Sequence, residues 1–199
     1  MGDLRIELVH RLLPLLRAAD LDSCERAIIA KMQSLKPSPF HIALDLLISN
    51  DPEHTAEHFD RFFLAESQRF KVAAAYTEMN DFDINPDLWY CDLFAYRTFG
   101  GHENCNYEWL CTPPSKPFQS YVIKGLEELQ AVYASRVGKL SREEYAAFTI
   151  CDLLVELRFQ RFMERAAAEM KALKFPLLVT VHDSDFIAEF RPKSSVVPD

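Results

Sequence analysis

The chain has 199 residues and a formal net charge of −8, with 49% hydrophobic and 26% charged residues. This balance suits a folded domain with a sizeable core and excludes a chain disordered throughout. The acidic surplus excludes nucleic acid as the main ligand, because phosphate contacts need a basic surface, and it disfavours an anionic membrane surface.

The N-terminal stretch is leucine-rich, but His10, Arg11 and Arg17 interrupt it. It is therefore not expected to be the apolar core of a signal peptide. Leu4 to Ala19 is expected to be an amphipathic helix with Leu4, Leu8, Leu12 and Leu15 or Leu16 on one face, kinked or shortened by Pro14. A second helix is expected from Ser23 to Leu35, with Asp22 and Glu25 at capping-box spacing and Lys36-Pro37 closing it. Phe40, Ile42, Leu44, Leu46 and Ile48 alternate as in a half-buried strand, with helix the competing reading. Asn50-Asp51-Pro52 then opens a helix expected to run to about Met79, with Phe59, Phe62, Phe63, Phe70, Ala73 and Ala74 as its inner stripe.

An acidic turn follows from Asp81 to Asp87, and the aromatic run from Leu88 to Phe99 reads as a strand stopped by Gly100-Gly101. His102 to Pro117 is an expected loop, Phe118 to Lys124 a strand paired with the previous one, and Leu126 to Ser135 a short helix. Ser141 and Glu144 form a capping box for a long helix ended by Phe175-Pro176. Leu177 to His182 and Phe186 to Arg191 form a terminal hairpin around Asp183-Ser184-Asp185. This order predicts an α+β fold: an antiparallel sheet of about four to five strands with helices mainly on one face. Residues 1–191 are expected to form one domain and residues 192–199 a flexible tail.

Five cysteines (Cys24, Cys91, Cys105, Cys111 and Cys151), odd in number and without CxxC spacing, fit a reducing, cytoplasmic setting. No stretch approaches the ~18 apolar residues of a membrane span. With five glycines, the chain has neither a phosphate-cradling loop nor a dinucleotide fingerprint.

Three constellations carry chemistry. His54-Thr55-Ala56-Glu57-His58 has H-x-x-E-H spacing, which places both imidazoles on one helix face. They could hold Zn²⁺, with Glu57 as the general base of a metal-dependent hydrolase. Asp81, Asp83, Asn85 and Asp92 have the oxygen spacing of an EF-hand calcium loop, but Pro86 replaces the turn glycine, so at most weak Ca²⁺ binding is expected. The third constellation is an aromatic and acidic cluster.

From Asp51 to Asp92 ten acidic residues face three basic ones, and eight aromatic residues from Phe82 to Trp109 fall within 28 positions. On a strand, Tyr90, Asp92, Phe94 and Tyr96 share one face, and Trp89, Cys91, Leu93 and Ala95 share the other. If helices cover one face, the other shows rings and carboxylates suited to protein binding. The partner-binding residues expected on this basis are Asp81, Asp83, Asp87, Tyr90, Asp92, Phe94, Tyr96, Tyr107 and Trp109. The leading functional expectation is a non-enzymatic, cofactor-free binding module for a basic protein, for example an inhibitor or immunity-type protein that neutralises a basic enzyme. The metal-dependent hydrolase is the alternative.

Overall fold

The computed structural model describes residues 4–80, 82, 85–101, 108–136, 138 and 140–192. Asp81, Asp83, His102, Cys105, Tyr107 and residues 193–199 of the expected tail lie outside the described residues.

Helix α1 (Leu4–Arg17) buries Leu8, Leu12 and Leu16 along the expected face and ends three residues after Pro14. Helix α2 spans Leu21–Gln33, and its cap is Asp20, whose Oδ1 accepts the Ser23 N–H at 3.0 Å. The expected cap at Asp22 is thus corrected by two residues. Asp22 and Glu25 instead pair with arginines of a distant helix.

The expected strand from Phe40 to Ile48 is not formed. Pro39–Leu44 is a 3-10 turn started by Ser38, with Phe40 buried edge-on against Tyr133 and Phe148. The carbonyls of Ala43, Leu44 and Leu46 accept hydrogen bonds from the Arg158 guanidinium, so they are not available to a sheet ladder. Helix α3 (Pro52–Ser67) starts as expected, with Asp51 accepting the His54 N–H at 2.7 Å and Pro52 in the first turn. It stops twelve residues before the expected Met79, and Ala74–Met79 forms strand β1 instead.

Strand β2 (Tyr90–Tyr96) follows, then β3 (Tyr121–Val122), α4 (Glu127–Arg136), α5 (Arg142–Glu169), β4 (Leu177–Val181) and β5 (Ala188–Phe190). The Ser141–Glu144 capping box is present. The strand order is β3-β2-β1-β4-β5. The fold is α+β as expected, but the sheet is mixed: β1 pairs antiparallel with β2 and parallel with β4, with Ala75 opposite Leu177 and Met79 opposite Val181. The parallel pair has a physical cause. Helix α5, 28 residues and about 42 Å long at ~1.5 Å per residue, carries the chain back to the end of the sheet where β1 begins, so β4 enters in the same direction.

Ala75, Met79, Cys91, Leu93, Leu177, Val179 and Val181 face the helices and join one continuous apolar cluster running from Leu8 to Phe190. Helix α5 is enclosed by α1, α2, α3 and the strands, which buries it on every side from Leu153 to Gln160 rather than along a single stripe. Three polar side chains are enclosed with it. Glu156 is ion-paired to Arg5 at 2.9 Å, Arg158 to Glu25 at 3.1 Å, and Gln160 donates to the carbonyls of Val179 and Phe186. Among the described residues no helix is long and apolar enough to cross a membrane.

Candidate functional site

The alternation expected in β2 holds from Trp89 to Ala95 and breaks at Tyr96, which is buried on the expected open face because Trp109 and Leu110 pack against it. Trp89, Cys91, Leu93 and Ala95 are fully buried on the helix side, while Tyr90, Asp92 and Phe94 are half-buried on the other face. The register adds Tyr76, opposite Phe94, and Glu78, opposite Asp92, to that face. The Tyr76 and Phe94 rings lie 6.1 Å apart and 29° from parallel. Two connections rise beside them, the 108–115 segment and the turn from His182 to Ile187, and together they enclose a cleft of about 740 Å³. That volume lies in the range of small-ligand and side-chain pockets.

The cleft forms where two parallel strands end and separate. After Met79 the chain turns toward β2, and after Val181 it turns toward β5, with the His182 N–H still bonded to the Met79 carbonyl at 2.9 Å. Asp183 takes a φ of +57°, a left-handed conformation that Asp tolerates better than most residues. This turn places His182, Asp183 and Asp185 at the rim.

Inside the cleft, the Tyr76 hydroxyl donates to Glu78 Oε2 at 2.8 Å, and His182 Nδ1 stands 3.5 Å from the same oxygen. His182 Nε2 is 3.7 Å from Asp183 Oδ2. Burial, reinforced by the Glu78 charge, pushes both the Tyr76 and Tyr96 hydroxyls far above the ordinary tyrosine range. Both therefore remain protonated donors. Tyr96 donates to the Leu110 carbonyl at 2.9 Å and packs edge-on against Trp109 at 5.0 Å, which fixes the far wall. Trp109 in turn donates to the Gly101 carbonyl at 3.1 Å. Gly100 makes room for it: a Cβ there would lie 2.3 Å from the indole.

The expected binding residues are therefore divided. Phe94 and Tyr96 line the cleft, and Trp109 backs it. Tyr90 and Asp92 lie further along the same sheet face, where Asp92 accepts the Ser120 hydroxyl at 2.6 Å. Asp87 is exposed in the β1–β2 connection. Sequence reasoning missed Tyr76 and Glu78 because Ala74–Met79 reads as helix. The alternation of Ala75, Thr77 and Met79 with Tyr76 and Glu78 was the available signal. In the expected hairpin His182 ends the first strand and Asp183 and Asp185 form the turn, with no site residue among them.

Cys111 lines the cleft and is exposed. The other described cysteines are buried, which pushes the thiols of Cys24 to about 11 and Cys91 to about 12, and raises Cys151 as well. These are packing groups, poorly suited to thiolate chemistry.

The H-x-x-E-H segment lies elsewhere. His54 and Glu57 are exposed, and His58 is held by both ring nitrogens: Nε2 is 3.3 Å from the Gln119 carbonyl and Nδ1 is 3.0 Å from Arg61. Its ring packs against Phe118 and Tyr121 at 5.1 Å. Desolvation, with smaller contributions from Arg61 and His54, lowers its pKa. A neutral imidazole donating through Nε2 and accepting at Nδ1 satisfies this geometry. Among the described residues no group of three His, Cys, Asp or Glu side chains is placed to hold an ion.

The expected calcium loop has a different frame. It joins two antiparallel strands and follows β1 where a helix was expected. Asp92 lies within β2, cross-strand from Glu78.

Comparison with protein-family models finds no match, and comparisons with curated proteins and with solved structures find none either.

Proposed function

We propose that this chain is a non-enzymatic protein-binding module that docks a basic partner through the acidic, aromatic face of its sheet. An inhibitor or immunity-type protein that neutralises a basic enzyme is the concrete form. The observation that carries this reading is the composition of the cleft. Tyr76, Phe94 and Tyr96 supply rings, and Glu78, Asp183 and Asp185 supply carboxylates, with His182 the one ionisable nitrogen group among the described lining residues. Rigid aromatic side chains give large contact area at low entropy cost, and the surrounding negative charge speeds capture of a positive surface. The charge of the whole chain, −8, acts in the same direction.

The experiment is affinity capture from the native host, followed by kinetics with the purified partner. A basic partner is expected, with an association rate that falls as salt rises. The rate should drop by roughly tenfold when Asp87 and Asp185, both exposed, are changed to Lys, while dissociation changes little. An acidic partner, or an association rate indifferent to both salt and charge reversal, overturns the reading.

A further inference from the structure

We infer that the cleft is an anchor site for one arginine side chain of the partner, its guanidinium lying along the Tyr76 and Phe94 rings and pairing with Glu78. This inference rests on the protein-binding reading and adds the chemical group that the cleft receives.

Three observations on different atoms converge. First, the Tyr76 and Phe94 rings stack with centroids 6.1 Å apart and planes 29° from parallel, and both line the cleft. A guanidinium is planar, stacks on aromatic faces and is weakly hydrated, so it loses less on entering such a site than an ammonium does. Second, Glu78 is pre-oriented. Its Oε2 receives the Tyr76 hydroxyl, and its side chain is 21% exposed, which leaves acceptor capacity facing the cleft. A carboxylate in this state offers a guanidinium charge-assisted hydrogen bonds without first reorganising. Third, Asp183 and Asp185 add two carboxylates to Glu78 at the rim on the side of the β4–β5 turn, where Ser184 between them takes the Arg5 guanidinium that is paired with Glu156. The cleft of about 740 Å³ holds an arginine with its flanking backbone.

The geometry also separates arginine from neighbouring chemistries. An apolar side chain would leave Glu78 desolvated and without a cation, and an anion would meet three carboxylates. A lysine keeps the charge but lacks the plane.

The probe is the tripeptide acetyl-Gly-Arg-Gly-amide, with citrulline, lysine and norleucine versions, titrated into the full-length chain and followed by amide chemical shifts. Shifts concentrated at Tyr76, Glu78, Phe94 and residues 182–185 are expected, with binding in the millimolar range or tighter. Citrulline, which keeps the shape of arginine without its charge, should bind at least roughly tenfold more weakly, lysine roughly threefold more weakly, and norleucine not detectably. Glu78→Gln keeps an acceptor for Tyr76 and should lose roughly tenfold in arginine affinity. Phe94→Leu, read in parallel and checked for folding by its amide spectrum, should lose roughly fivefold. Equal binding of arginine and citrulline, shifts centred away from the cleft, or no binding at all each overturn the arginine site. None of these outcomes touches the salt and charge-reversal test of the protein-binding reading, so the two fail separately.

Discussion

Two carboxylates mark two uses of polar groups in this molecule. Glu156, on α5, has a side chain 0% exposed. It takes the Arg5 guanidinium at 2.9 Å and the Thr180 hydroxyl at 2.9 Å. Glu78, in the cleft, is 21% exposed and takes one hydroxyl, with His182 at 3.5 Å. The difference lies in how far each is already satisfied from within the chain. The α5 groups have cationic, hydroxyl and carbonyl partners drawn from α1, α2, the 38–46 segment and β4, and they hold these elements together. The cleft groups have acceptor capacity left over. A buried charge fully partnered inside a fold is architecture, whereas a partly exposed one oriented by a neighbour is available for recognition.

The largest effect should come from breaking the enclosed network at Arg158. Arg158→Ala leaves the Ala43, Leu44 and Leu46 carbonyls without their donor and Glu25 with Arg161 as its remaining cation, and about 3–5 kcal/mol of stability should be lost in urea unfolding. Arg5→Ala should cost about 2–4 kcal/mol, because Glu156 is left buried without its cation.

Glu156 also gives the comparison a pH axis. Burial raises its pKa above the ordinary glutamate value, with Arg5 partly offsetting the shift. A raised carboxyl holds its proton more tightly in the folded than in the unfolded chain. Its contribution is therefore complete below the unfolded value and is lost as pH climbs through the folded one. Glu156→Gln should accordingly become more stable relative to the parent as pH rises from 4.5 toward neutrality. A constant or opposite difference would show that burial does not raise the Glu156 carboxyl.

Smaller effects belong to the cleft. Gly100→Ala drives a methyl group into Trp109 and should cost about 1–3 kcal/mol, with a red shift in tryptophan emission as the indole moves off Tyr96. The smallest change is Asp185→Asn, expected within ~0.5 kcal/mol of the parent stability because the residue is exposed, yet slower to associate with a basic partner. If the order reversed, with cleft substitutions unfolding the chain and α5 substitutions tolerated, the division between architecture and recognition would be wrong.

The legible parts of the fold were those governed by local chemistry. Asp51-Pro52 and Ser141–Glu144 started helices because capping needs only neighbours three or four residues apart. The alternation in β2 predicted which of its faces would be buried, and the turn at 183–185 joined two antiparallel strands as its residues suggested. The illegible parts were governed by partners distant in the chain. Ala73-Ala74-Ala75 favours helix locally, yet Ala74–Met79 becomes the central strand because β2 and β4 hydrogen-bond to both its edges. Phe40 to Ile48 alternates like a strand, yet Arg158, more than a hundred residues away, takes its carbonyls.

Composition and residue alternation, which act within a few positions, specify the α+β class, the acidic charge and the aromatic face of β2. Contacts between distant segments make β1 and β4 parallel, add Tyr76 and Glu78 to that face, and close a cleft over it with the turn after β4. The reason is entropic and geometric. Bringing residue 76 beside residue 182 depends on a helix long enough to return the chain and on a core large enough to offset closing so long a loop, and neither is written in any short stretch of residues.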